Sequence, residues 1–198
     1  DMKKEQPKQH KSISVWREEK EVKKFNYAKD GRFLNLKIEE EGVDKSPNPE
    51  KLTDDLTQGT IDVMTAALDV MKKVAMDKPC EGKADIFDGK RRYTIDFNHA
   101  QKTELKKTRY NVYSGEAIEC VVEVKPVAGH WHEKPRGWLS IQEQGRNKGS
   151  LPTIWMAKIS EDSPAVPVKL RLKTEYGTLF MHLREYNNGH TQIADKDD

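Results

Sequence analysis

From Ser12 to Glu41 the chain falls into short runs in which apolar residues tend to alternate with polar ones, the spacing that turns one face of an extended chain toward a core. SISVW, EVKKFNY and FLNLKIEEE read as strands, with Asp30–Gly31 as the turn of a hairpin. In the third run Leu34, Leu36 and Ile38 point one way, and Phe33, Asn35 and Lys37 the other. GVDKSPNPEKL then breaks the alternation with two prolines and a glycine, and reads as a loop.

The period next becomes helical, roughly from Thr60 to Met76. Ile61, Met64, Ala67, Leu68, Met71 and Val74 form one apolar stripe. Thr60 is placed to cap the start and Asp62 falls in the first turn. Lys72 and Lys73 lie near the end, and Pro79 stops the helix.

Beyond Cys80 the period of two returns. ADIF and KRRYTIDF flank Asp88–Gly89, a strong hairpin signal, with Tyr93, Ile95 and Phe97 on one face and Arg92, Thr94 and Asp96 on the other. KTELKKTRY and EAIECVVEVKPV read as strands bracketing a turn at Tyr113–Ser114–Gly115. From Ala128 to Ser150 the chain is polar and loosened by glycines and prolines. TIWMAKI, VPVKLRLKTEY and TLFMHLREY supply the last strands, with Gly177 in the final turn.

Strands, one helix and then many antiparallel strands predict a mostly-β (α+β) domain, a curved antiparallel sheet with one main helix packed on it. A parallel nucleotide-binding sheet is excluded, because it needs a helix between successive strands. Residues 1–11 are expected to be a flexible segment, 12–186 a single β-rich domain, and 187–198 a flexible tail.

Composition sharpens this picture. Hydrophobic residues make up 35% of the 198, and charged residues 34%, which suits a thin or curved layer with much solvated surface. Basic and acidic residues number 35 and 33, for a net charge of +2. That near balance does not point to nucleic acid, whose binders carry a strongly basic face. No apolar run reaches the length of a membrane span.

Candidate chemistry is sparse. Cys80 and Cys120 allow a single bridge, closing about 40 residues; in an exported protein they pair, whereas in a cytosolic one they stay buried thiols. Cys120 shares a strand face with Ile118, Val122 and Val124, and so points to the core. His130 and His132 have the spacing of two metal ligands, but nothing selects His99 or His182 as a third, so they read as loop histidines and no metal is expected. KRRY, KKTRY and KLRLK interleave bases with apolar residues and read as solvated strand faces. Trp16, Trp131, Trp138 and Trp155 read as packing anchors. No phosphate loop, serine elbow or zinc-helix motif is present, so neither an enzyme nor a cofactor is expected.

Four pieces in order carry a resemblance. They are GTIDVMTAALDVM leading to Cys80, IFDGKRRYTIDF, YSGEAIECVVEVKPVAGH, and IWMAKISEDSPAVPVKLRLKTEYGTL. Together, over roughly Gly59 to Tyr186, they resemble an uncharacterised family of exported proteins of Gram-negative bacteria, of the alphaproteobacterial type, known as domain of unknown function three-one-zero-eight. The resemblance implies a periplasmic envelope protein, its signal peptide removed or absent from this chain, and it favours the Cys80–Cys120 bridge. It implies a sheet rolled into an open barrel or spiral, and a chain shortened at its start by some upstream strands. It brings no catalytic residues.

Two functions follow as expectations. The first is a non-enzymatic interaction module for envelope maintenance, touching envelope proteins or cell-wall components. The second is a carrier or sensor for a lipid or other apolar ligand, lined by Met64, Leu68, Met71, Tyr93, Ile95, Phe97 and Val122 inside the curved sheet.

Overall fold

The computed structural model describes residues 5–194. Strands β1 (Gln9–Trp16), β2 (Glu19–Tyr27), β3 (Phe33–Glu40) and β4 (Val43–Asp44) form a sheet in that order. A 3-10 turn (Pro49–Lys51), α1 (Asp54–Thr57) and α2 (Val63–Ala75) follow. Next come β5 (Gly82–Phe87), β6 (Arg91–Leu105), β7 (Gly115–Gly129), α3 (Trp138–Asn147), β8 (Thr153–Ala157), β9 (Val166–Thr174) and β10 (Gly177–His182). These strands make a six-stranded sheet in the order β10-β9-β8-β7-β6-β5. A small hairpin of β11 (Glu185–Asn187) and β12 (Gln192–Ala194) completes the elements.

With 47% of residues in strands and 16% in helices, the class is mostly β, in antiparallel sheets. Among the described residues no sheet closes into a barrel. The sequence reading placed one β-rich domain over 12–186. The described residues pack as two compact units, one made of 5–67, 84–95 and 125–131, the other of 68–83, 96–124 and 132–194.

The core of the first unit is aromatic. Phe25, Tyr27, Leu36, Ile38 and Phe87 are buried together. Phe33 meets Tyr27 and Phe87 edge-to-face, at 5.9 and 5.4 Å. Phe33 reaches that core through a register irregularity: Asn26 pairs with Asn35, but Tyr27 pairs with Phe33, so Leu34 is skipped. Leu34, expected to share the inward face of Leu36 and Ile38, is therefore half exposed. The Asp88–Gly89 turn forms as its sequence requires. Gly89 takes a φ of +98°, and the Asp88 carboxylate accepts from Lys90 N at 2.9 Å and Arg91 N at 2.7 Å.

In the second unit Leu105, Tyr113, Ala117, Trp155, Ala157 and Val168 are buried as one cluster. Cys80 and Cys120 are bonded, fully buried, with Cα atoms 5.8 Å apart. Helix α3 carries the buried Gln142, whose amide oxygen accepts from Val124 N at 2.7 Å while its amide nitrogen donates to Val124 O at 2.9 Å. The side chain thus satisfies both backbone groups of one β7 residue, as a neighbouring strand would.

Several expectations are corrected. The single helix is joined by α3, inside the stretch read as irregular, and by α1 within the presumed loop. The helix cap is Asp62 rather than Thr60: its Oδ1 accepts from Met64 N at 2.9 Å and Thr65 N at 3.0 Å, while the Thr60 hydroxyl donates to Thr57 O. The buried stripe of α2 is Ala66, Val70 and Val74, and Met64 is 63% exposed. KRRYTIDF and the start of KTELKKTRY are one 15-residue strand, β6, and residues 106–114 lie outside any strand. The expected tail contains the β11–β12 pairing as far as 194, and 195–198 lie outside the described residues. At the other end, β1 begins at Gln9 inside the expected flexible segment, of which 1–4 lie outside the described residues.

Candidate interaction surface

The polar clusters of the first unit are occupied by structural bonds. Asp85 on β5 accepts from Arg92 Nη2 at 2.6 Å and from the Thr94 hydroxyl at 2.7 Å, both on β6. Arg92 also donates to Asp55 O at 3.1 Å, which ties the segment before α2 to the hairpin. Asp62 caps α2, accepts from the Thr65 hydroxyl at 2.6 Å, and lies 3.4 Å from His10 Nδ1. Burial, with the Asp62 charge adding, pushes the Tyr27 hydroxyl above the usual tyrosine value. Arg91 grips Asp88 with two nitrogens, at 3.0 and 2.8 Å, and lies 4.6 Å over the Trp131 ring.

Outward, the β1–β3 sheet presents a face organised in rows by its antiparallel register. Gln9, Asn26 and Asn35 form the first row, linked by amide hydrogen bonds of 2.8 Å each. Lys11, Lys24 and Lys37 stand directly opposite one another in the second. Ile13, Val22 and Glu39 make the third, and Val15 with Lys20 the fourth. Ile13 is 52% and Val15 66% exposed, and all four lysines are exposed. Like charges in direct cross-strand register oppose pairing, and β-branched apolar residues gain nothing from water. Neither choice is explained by the stability of the sheet.

The residues expected to line an apolar cavity are spread across different environments. Ile95, Phe97 and Val122 are buried, Leu68, Met71 and Tyr93 are half-buried, and Met64 is exposed. Burial pushes the Tyr93 hydroxyl up to about 12, with Asp88 adding and Arg91 opposing. Three clefts open among the described residues have none of these seven in their lining. The largest of these, about 650 Å³ in the first unit, is lined by Glu5, Asp30, Arg32 and Asp54 together with Phe33 and Ile61. A second, about 210 Å³ in the second unit, includes Asp77, Glu116 and Lys158.

Among the described residues no three histidine, cysteine or acidic groups gather to hold a metal. His99 Nδ1 accepts from Cys80 N at 3.4 Å. His182 belongs to a stack in the second unit: it lies 6.0 Å from Phe180 and 6.4 Å from Tyr110, and the Lys169 ammonium sits 5.0 Å from Phe180 and 4.6 Å from Trp155. KLRLK thus works as part of a cation–aromatic ladder rather than as a bare solvated face. Of the four tryptophans, Trp155 is buried, Trp131 and Trp138 are half-buried, and Trp16 is 73% exposed.

Sequence reading missed the lysine row. Its three members are far apart in the chain, and only the register β1-β2-β3 aligns them. The hairpin turns could have supplied that register, because a turn fixes which residues face each other.

Among the described residues no helix is long and apolar enough to cross a membrane. No curated protein and no solved structure is matched by the chain. The model of the family described as protein of unknown function (DUF3108) matches residues 3–184, most of the sequence, and the chain belongs to that family.

Proposed function

We propose that this is an exported protein of the Gram-negative periplasm, alphaproteobacterial in type, acting without catalysis as an interaction module of the cell envelope. The observation that carries the reading is the outward face of β1–β3, where Ile13 and Val15 stand exposed beside an aligned lysine row. Exposed apolar residues framed by charge mark surfaces that meet a partner. The buried Cys80–Cys120 bond supports export, because such bonds persist in oxidising compartments. The polar clusters support a non-catalytic role, since Asp62 and Asp85 already bind backbone or partner side chains.

The test is a photoreactive residue placed at Val15 in the full-length protein in its native cells, with the 97% exposed Tyr176 as control position. Adducts with envelope components from Val15, above those from Tyr176, are expected. Equal labelling at both positions, or adducts with cytoplasmic proteins only, contradicts the reading.

A second reading, an apolar-ligand carrier, is favoured by the half-buried Leu68 and Met71 on α2. It needs the sheet to roll into an open barrel or spiral around its cargo. Mass spectrometry of an organic extract of the periplasmic protein decides it: a stoichiometric lipid supports a container, and an empty extract from folded, oxidised protein removes it.

A further inference from the structure

We propose that the β1–β3 face docks on an anionic lipid bilayer surface. The inference rests on the interaction reading above and names its partner. Lys11, Lys24 and Lys37 occupy one row across three adjacent strands. Neighbouring strands lie about 4.8 Å apart, so three ammonium groups are anchored within about 10 Å along the row. Lys20, opposite Val15, adds a fourth cation. The acidic groups on this face, Glu39, Glu41 and Asp44, belong to the β3–β4 end, where Asp44 faces Lys37 and Glu41 accepts from the backbone N–H of Lys20. The β1–β2 side of the face is therefore cationic.

Charge complementarity makes the partner anionic, and the apolar residues select its kind. Ile13 and Val15 stand on the same side of β1 as Lys11, one and two rows along from it. A soluble polyanion has no use for them. A bilayer offers phosphates to the lysines and, just beneath, a boundary into which short apolar side chains settle. The one cleft that Lys24 and Lys37 line, about 160 Å³, is also lined by Glu39 and Asp44, so it does not single out a small anion as the partner.

The experiment is vesicle co-sedimentation of the full chain. Phosphatidylcholine vesicles are compared with vesicles in which part of the phosphatidylcholine is replaced by anionic phosphatidylglycerol. Binding to the anionic vesicles only is expected, weakening as salt shortens the Debye length. The triple variant Lys11→Gln, Lys24→Gln, Lys37→Gln should bind roughly a hundredfold more weakly. Its melting temperature should be unchanged or higher, because the aligned like charges are gone. The double variant Ile13→Ser, Val15→Ser should also lose vesicle binding while keeping the same affinity for soluble polyphosphate as the parent.

Equal binding to neutral vesicles, no vesicle binding, or full binding by the folded triple variant overturns the proposal. Polyphosphate that competes away all vesicle binding, together with a double variant that binds vesicles normally, also overturns it in favour of a soluble polyanion. These failures are distinct from failure of the interaction reading, which the Val15 crosslinks decide separately.

Discussion

His182 is held where it resists a proton. Its Nδ1 is buried without a partner, its ring stacks on Phe180 and Tyr110, and Arg109 and Lys169 sit over the neighbouring rings. Burial, then the Lys169 charge, lowers its pKa below the ordinary histidine value. The unfolded chain takes up this proton near pH 6.5, and the folded chain only at lower pH. Stability is therefore lost as pH falls through that window and retained above it. Thermal melts from pH 7 to pH 5 should fall more steeply for the parent than for His182→Gln; parallel slopes contradict the assignment. Asp85 is the other single residue on which much depends. Asp85→Ala abandons Arg92 Nη2 and the Thr94 hydroxyl, at an expected cost of about 1–2 kcal/mol by denaturant titration. The lower part of the range applies because the Asp85 side chain keeps 32% of its surface exposed.

At the scale of elements, α3 turns on Gln142 and Gly145. Gln142→Ala leaves Val124 N–H and C=O buried without partners and should destabilise the second unit by about 2 kcal/mol. Gly145→Ala places a methyl 2.5 Å from Ser150 O, so it should lower the melting temperature despite alanine's better helix propensity. A neutral or stabilising result at either position removes this account of docking. The same contacts explain why α3 was illegible. A helix that docks through an amide and a glycine leaves no apolar stripe to read, whereas the Asp88–Gly89 hairpin and the start of α2 announce themselves through local chemistry. The α2 stripe was read one step round the helix from the buried set. Of the expected stripe Val74 is buried, but Ala66 and Val70 complete the buried set, and Met64 faces out. Leu34 was misread for a related reason, since a skipped residue inverts alternation and period alone does not reveal a bulge.

For the whole molecule, the Cys80–Cys120 bond closes a 40-residue separation and should contribute about 4 kcal/mol through the unfolded chain. Double replacement by alanine, followed by guanidinium titration, should show a loss near that size; a loss under about 1 kcal/mol contradicts it. Both cysteines were visible as candidates, because Cys120 shares its strand face with buried residues. The family was visible too, since its ordered pieces survive in the primary sequence. The working surface was not, because rows across strands exist only after β1, β2 and β3 have paired. Hydrogen exchange of the full-length protein, with and without envelope membranes from its own cells, tests the central claim most directly. Protection concentrated in Gln9–Glu40 is the result this account predicts; protection absent there, or confined to other strands, contradicts it.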